Sequence, residues 1–295
     1  MDVSVIIVNY NTRLLTIDSI RSVTNYVKNV SYEIILVDNA SSDGSITAIQ
    51  QEFPLVKIIA NQENIGFGRA NNKGISIAQG EFVFLLNSDA FLTSDALSDF
   101  CAFMRKAENK KVAVCGADLH TGGSEKTISY GNFPSLLDSF STIGFYILYH
   151  KFYFKYIASG VVNTDNSIRQ VDYINGSNMF IRKSVLNEVG AFDEDFFLYF
   201  EETELSYRIK KNGYVSYILP YIKIIHLAGG SQKSKDFNYN QHYHFSRGRN
   251  LYFEKCHGKT YAFLVKICNV FWEITMAVSG RRKGNIFKKI SGVFS

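Results

Sequence analysis

Carboxylates, amides and one histidine at the ends of apolar runs are where this chain offers chemistry. Asp38 leaves a buried-looking strand and is followed by Asn-Ala-Ser-Ser-Asp-Gly, so it can accept bonds from a nucleobase or a ribose, or cap a turn. Asn87-Ser88-Asp89 follows the very apolar Glu81–Leu86 run. A carboxylate there, among amides, suits a hard divalent cation, because Mg²⁺ or Mn²⁺ needs only one or two protein oxygens beside substrate phosphates. The alternative is a helix cap, a role that Ser94 already fits for the following helix. The segment 193–204 holds six carboxylates in twelve residues, interleaved with Phe196, Phe197, Leu198, Tyr199 and Phe200. A carboxylate against apolar surface can serve as a general base. Glu201 and Glu202 open a helix whose dipole favours their ionised form, and Glu204 reads as ordinary first-turn charge. His226 ends a strand beside a glycine turn, where a ligand role competes with that of a core histidine. Arg247 and Arg249, in an aromatic-basic stretch, read as a clamp on a phosphate leaving group or as a solvated helix face. Asn64 to Gly74 is glycine-rich but lacks the dinucleotide spacing; its glycines let backbone come close to a ligand or a neighbouring strand, and Arg69 is placed to meet a diphosphate or solvent.

These residues need a scaffold that collects strand ends. The spacing predicts strands at Val3–Val8, Glu33–Val37, Val56–Ile59 and Glu81–Leu86, with helices at Leu14–Val27, Ser45–Glu52 and Gly68–Ala78 between them. Continuous apolar strands alternating with helices give an α/β fold, a mostly parallel sheet covered on both faces. Its ligands bind at the carboxyl ends of the strands, where Asn9, Asn11, Asp38, Asn64, Asn87 and Asp89 fall. Further on, Val112–Cys115, Val171–Ile174, Met179–Arg182 and Tyr221–Ile225 read as strands, and Ser184–Val189 and Glu202–Lys211 as helices.

Length and composition bound the rest. A chain of 295 residues with 46% hydrophobic and 20% charged residues and three prolines can bury a large core and is not disordered. Residues 231–295 carry twelve Lys/Arg against Asp236, Glu254 and Glu273, so the net charge of +5 combines a tail at +9 with a body at −4. Localised basicity argues against nucleic acid as a partner. Four scattered cysteines without a CxxC pair exclude a zinc ribbon and suit a reducing compartment. An acidic N-terminus that enters a strand at once reads as no signal peptide, and no run of 18 uninterrupted apolar residues predicts a spanning helix. Tyr261–Val278 is apolar except for the stripe Lys266, Asn269 and Glu273, and Arg281, Arg282, Lys283, Lys288 and Lys289 follow. That pattern predicts a helix lying on an anionic membrane surface, or one packed on the core or a second subunit.

In order along the chain, Val3–Thr12, Val37–Gly44, Asn64–Gly74, Leu85–Ala90, Asn175–Arg182 and Phe196–Leu205 resemble family 2 glycosyltransferases, and most nearly their bacterial rhamnosyltransferase-like subgroup. The resemblance covers about residues 3–255. It implies a GT-A fold, with a catalytic domain at 1–230 (a nucleotide-sugar half at 1–110, an acceptor half at 111–230) and a helical basic tail at 231–295. It also implies a nucleotide-sugar donor, a divalent metal, inversion at the anomeric carbon and a growing, lipid-linked surface glycan as acceptor. Carried over by position, Glu202 matches the catalytic base, Asp38 the base-and-ribose carboxylate, Asp89 the metal carboxylate and His226 a metal-site histidine. Asn9, Asn11, Asn64, Arg69, Asn87, Ser88, Arg247 and Arg249 then fall to the donor, and Asn175, Gly176 and Glu201 to the acceptor. Two departures stand out: Asn87 replaces the first acidic residue of the metal motif, and the base is Glu where Asp is more common. The location implied is cytoplasmic, peripheral on the inner face of the cell membrane. A nucleotidyltransferase and a non-catalytic glycan- or nucleotide-binding relative are the competing readings. A facing-carboxylate glycosidase and a NAD-linked Rossmann enzyme fit worse, the latter because Asn-Tyr-Asn-Thr lacks the needed glycines.

Overall fold

The computed structural model describes residues 1–123, 125–164, 166–227, 237–279 and 285–294. The first half alternates as expected: β1 (Val3–Asn9), α1 (Arg13–Tyr26), β2 (Tyr32–Asp38), α2 (Ser45–Glu52), β3 (Lys57–Ala60), α3 (Phe67–Ile77) and β4 (Phe82–Asn87). There follow β5 (Ala90–Leu92), α4 (Ala96–Met104), β6 (Val112–His120), β7 (Ile128–Gly131), α5 (Leu136–Thr142), α6 (His150–Tyr156) and β8 (Val161–Val162). Next come β9 (Arg169–Val171), β10 (Tyr173–Ile174), β11 (Asn178–Arg182), α7 (Lys183–Val189), α8 (Glu201–Lys211) and β12 (Val215–His226). The tail is helical: α9 (Tyr239–His257), α10 (Lys259–Val278) and α11 (Ile286–Val293).

The main sheet has the order β3-β2-β1-β4-β11-β6-β12-β5, with β9 also on β12. β1 pairs in parallel with both β2 and β4, and β11 runs antiparallel between β4 and β6. The chain moves outward from β1 to β3 and then returns to the other side of β1 with β4. That reversal opens a crevice at the carboxyl ends of β1 and β4. Both faces are covered, as strands without polar alternation require. Val5, Ile7 and Leu36 pack under α1, α2 and α4, while Ile6, Ile35 and Val37 pack under α3, α7 and α8.

Four local expectations change. The Val171–Ile174 run is cut at Asp172: β9 pairs with β12, whereas β10 joins β7 and β8 in a second, three-stranded sheet. The cap of α4 is Asp95, not Ser94, and its carboxylate accepts from the Ser98 N–H at 3.4 Å. The short strands β5, β7 and β8 carry too few residues to show a period. The tail is not a separate appendage: Tyr252 and Phe253 of α9 and Ala262 and Val265 of α10 enclose Phe196 in one apolar cluster.

Helix α10 sits with its polar stripe inward. Asn269 and Glu273 are buried, while Phe263, Phe271 and Val278 are 58%, 55% and 84% exposed. Among the described residues it is the one helix long and apolar enough to cross a membrane, by length and composition. It packs against α5, α9 and α11. Of the basic residues that follow it, 281–283 lie outside the described residues.

Candidate active site

A cleft of about 690 Å³ opens where the topology reverses. The end of β1 supplies Val8, Tyr10 and Thr12, and the end of β4 supplies Asn87, Ser88 and Asp89. Asn64, Gly66 and Phe67 enter from the turn before α3, Asn175 to Ser177 from the turn before β11, and Phe197 to Glu202 from the start of α8. His226 of β12 and Gln241 of α9 complete the rim.

Asp89 and His226 are brought together by strand pairing, since His226 stands opposite Ala90 in the β5–β12 ladder. His226 Nε2 lies 3.3 Å from Asp89 Oδ1 and 3.5 Å from Asn87 Nδ2. The His226 and Asp89 side chains are each 13% exposed, low in the cleft but open to it. Among the described residues no cluster of three or more His, Cys, Asp or Glu exists that could hold a metal alone. One carboxylate and one imidazole facing a cleft nevertheless fit a cation that completes its shell with substrate phosphates and water. The substitution at Asn87 thus leaves a lean site that still has the right kind of donors.

The first turn of α8 carries the carboxylates. Glu201 is buried, and its Oε2 has no partner among the described residues. Burial, and then the neighbouring Glu202, push its carboxyl well above the usual carboxylate range. Glu202 is half-buried, and burial raises it too, against the backbone N–H groups of Glu202 and Thr203. The helix terminus expected to hold these groups ionised is therefore outweighed by loss of water. The turn before them is held in an unusual shape: Tyr199 and Phe200 both have left-handed backbone, at φ 70° and 69°. Two consecutive non-glycine residues there cost about 1–3 kcal/mol each and persist only when the surroundings impose them. Here Gln241 Nε2 donates to Tyr199 Oη at 3.0 Å, and Phe245 packs on Phe200. Gly248 lets α9 close in, because a Cβ on it would stand 2.4 Å from Tyr199 O. Gly66, at φ 89°, plays the same part on the other side: a Cβ would meet Phe197 O at 2.3 Å.

Several expected donor residues lie in hydrogen-bond networks beside the cleft. Asp38 is fully buried and does not line the cleft. Its Oδ2 accepts from Asn9 Nδ2 at 2.6 Å and its Oδ1 from Ser41 N at 2.8 Å, which is the turn-building geometry. Asn9 is committed to that pair and, through Oδ1, to Thr12 and Thr16. Asn11, at φ 56°, pins the facing loop by accepting from Ser42 N, outside the cleft lining. Asn64 reaches the cleft while accepting from Gly66 N and Asn39 Nδ2. Arg247 and Arg249 face different ways, as residues two apart on a helix do. Arg247 joins Arg69 in a second pocket, and Arg249 stacks its guanidinium 5.8 Å from the Phe245 ring. Ser88, Asn175 and Gly176 line the cleft as expected, with Ser88 Oγ 2.9 Å from Thr12 Oγ1. Ser177, whose buried Oγ has no partner among the described residues, was not anticipated, nor was Gln241. Gln241 had no signal of its own, because it arrives from a distant helix across the 193–204 segment.

The fold and this cleft define a nucleotide-sugar type of α/β domain, and comparison with known proteins agrees. The family model "Glycosyl transferase family 2" matches residues 4–190, and the chain belongs to that family. It is similar to the N-acetylglucosaminyl-diphospho-decaprenol L-rhamnosyltransferase of Mycobacterium tuberculosis, 26% identical over 212 residues, covering 65% of this chain and 66% of that protein. It is likewise similar to rhamnosyltransferase WbbL of Escherichia coli, at 26% over 212 residues, 69% of this chain and 75% of the relative. In three dimensions it resembles the mannosyltransferase PcManGT from Pyrobaculum calidifontis, solved with GDP-Man and Mn²⁺, with a TM-score of 0.60 at 15% identity over 96% of this chain and 76% of the other. The fold is thus the GT-A-like α/β fold that the motifs implied.

Proposed function

We propose that the protein is an inverting, metal-dependent glycosyltransferase that moves a sugar from a nucleotide-sugar donor to a hydroxyl of a lipid-linked surface glycan. The observation that carries this is the pairing, in one cleft, of a carboxylate raised by burial, Glu202, with the strand-end pair Asp89 and His226. Glu202 takes the proton from the acceptor hydroxyl while that oxygen attacks the anomeric carbon. The bond to the diphosphate breaks on the opposite face, its electron pair leaves with the diphosphate oxygen, and configuration inverts. Asp89 and His226 would hold Mg²⁺ or Mn²⁺, which when bound neutralises charge on the diphosphate. Resemblance to the rhamnosyltransferase-like subgroup favours a dTDP-deoxysugar as donor, with a UDP-hexose close behind. Asn87 favours a second reading, a glycan- or nucleotide-binding relative without turnover. The test is sugar transfer with Mn²⁺ by wild type and Glu202→Gln. We expect kcat to fall about 10²–10⁴-fold. We also expect wild-type kcat/KM to climb with pH through a value above the usual carboxylate range, because the base must be ionised. Equal turnover by the Gln variant would sink the assignment.

The exposed apolar face of α10 supports attachment to an anionic membrane surface on the cytoplasmic side, with the exposed Lys288 on the adjoining α11. The full chain should float with anionic liposomes at low salt, and the Phe263→Asp/Phe271→Asp variant should not. A full chain that stays in the soluble fraction would return α10 to a packing role.

A further inference from the structure

A second pocket, of about 290 Å³, shares no lining residue with the cleft. It is lined by Arg69 of α3, Asp195, Arg247, Asn250, Leu251 and Glu254 of α9, and Lys266 of α10. Along α9, Arg247 is six residues past Gln241, about 9 Å at 1.5 Å per residue. Arg247, Leu251 and Glu254 share one helix face.

The pocket is cationic. Arg69 is oriented by its Nε, which donates to Glu194 O at 2.6 Å. Asp195 is engaged by Lys255 at 2.6 Å, and Glu254 has Lys259 at 3.9 Å. Lys255 first, and then Arg69 and Arg247, hold the Asp195 carboxyl below the usual range, so all three cations act on one spot. Three cations and two carboxylates line the pocket, and Lys255, which also holds Asp193 at 2.6 Å, and Lys259 engage those two carboxylates from its edge. Arg247 and Lys266 have no hydrogen bond or ion pair with the described residues. With Asp195 and Glu254 already engaged by Lys255 and Lys259, the three cations that line the pocket favour an anion there.

Lys266 also stands at an apolar border. Phe263 and Val270, at i−3 and i+4, flank it, and Phe263, Leu264 and Phe271 are exposed beside it. A cation-lined pocket at the foot of an outward apolar helix matches an amphiphile with an anionic head and a hydrocarbon tail.

We infer that Arg69, Arg247 and Lys266 form a site, separate from the cleft, for the phosphate or diphosphate head of the lipid that carries the acceptor. The hydrocarbon lies along the outer face of α10, and the carried sugar reaches over the 196–199 loop toward Glu202. This rests on the glycosyltransferase reading for its substrate, though not for its binding chemistry.

The test uses the full chain in EDTA, with farnesyl diphosphate, farnesol and inorganic pyrophosphate as probes in calorimetric titrations. Asp89→Ala serves as a control for binding in the cleft. Farnesyl diphosphate should bind wild type and Asp89→Ala alike, farnesol about tenfold or more weaker, and Arg247→Ala/Lys266→Ala should lose about tenfold or more for the diphosphate. In transfer assays the double variant should raise the acceptor KM by a similar factor and leave the donor KM within about twofold. Its flotation on phosphatidylglycerol vesicles should persist. Unchanged farnesyl diphosphate affinity in a folded double variant overturns the site. So does a raised donor KM, which would return the cations to the donor, or lost flotation with intact diphosphate affinity, which would assign them to bulk lipid. If the diphosphate binds as expected and no nucleotide sugar is turned over, the pocket stands and the transferase reading fails.

Discussion

Two rims of the same cleft use the same residue types in opposite ways. At the ends of β1 and β2, Asp38, Asn9, Ser41, Thr12 and Thr16 form a closed network in which the Asp38 oxygens and the Asn9 amide are satisfied. At the start of α8 and before β11, Glu201 Oε2 and Ser177 Oγ are buried without partners among the described residues, and Tyr199 and Phe200 hold a costly backbone. Buried polar atoms are normally paired, so the exceptions mark where a protein keeps its capacity for something else. The first rim is closed on itself, and the second keeps buried polar atoms open.

That contrast can be broken experimentally. Asp89→Ala, on the reactive side, should lower kcat about 10²–10³-fold with the unfolding midpoint unchanged. A variant that transfers normally would remove Asp89 from the chemistry. Asp38→Ala should do the reverse. It takes one of two acceptors from Asn9 Nδ2 and the acceptor of the Ser41 N–H, and should cost about 1–3 kcal/mol in urea denaturation, with any loss of donor binding secondary. Wild-type stability with a raised donor KM would instead restore Asp38 as a direct donor contact. Glu201→Gln should show the smallest effect and the opposite sign. A carboxyl raised by burial binds its proton more tightly when folded than when unfolded. Its stability contribution is therefore complete below the ordinary value of 4.5 and is lost as pH rises above that. The Gln variant should be more stable than wild type by about 1 kcal/mol at neutral pH, and the gap should close near pH 4. A gap that persists in acid would mean that Glu201 is paired.

Much of the scaffold was readable in the residues because buried parallel strands are uninterrupted apolar runs. β1, β2 and β4 fall within a residue or so of their expected bounds, and α2 coincides with its expected span. The cleft was legible where polar residues directly follow such strands, as at Asn87–Asp89. What was not legible depends on direction and distance. Sequence shows that Asp38 ends a strand, but not that its carboxylate turns back onto Asn9. Arg247 and Arg249 are neighbours in the chain and part company on the helix. Asn269 and Glu273 make a stripe that looks solvent-facing until α9 and α11 are seen to cover it; His242 Nε2 of α9 lies 3.5 Å from Glu273 Oε1.

The absence of a side chain at Gly248 reaches further than packing. A polypeptide is made from its N-terminus, so every strand-end amide and carboxylate of the cleft, and the helix that carries Glu202, leave the ribosome before α9 does. Until residue 248 has emerged, nothing presses on Tyr199 O, and the costly turn ahead of Glu202 is free to relax. The apolar outer face of α10 begins only fifteen residues later, at Phe263. At about 5–20 residues per second, bracing of the turn and exposure of that face arrive within seconds of each other. A nascent chain therefore gains the braced turn ahead of Glu202 and the apolar outer face of α10 almost together.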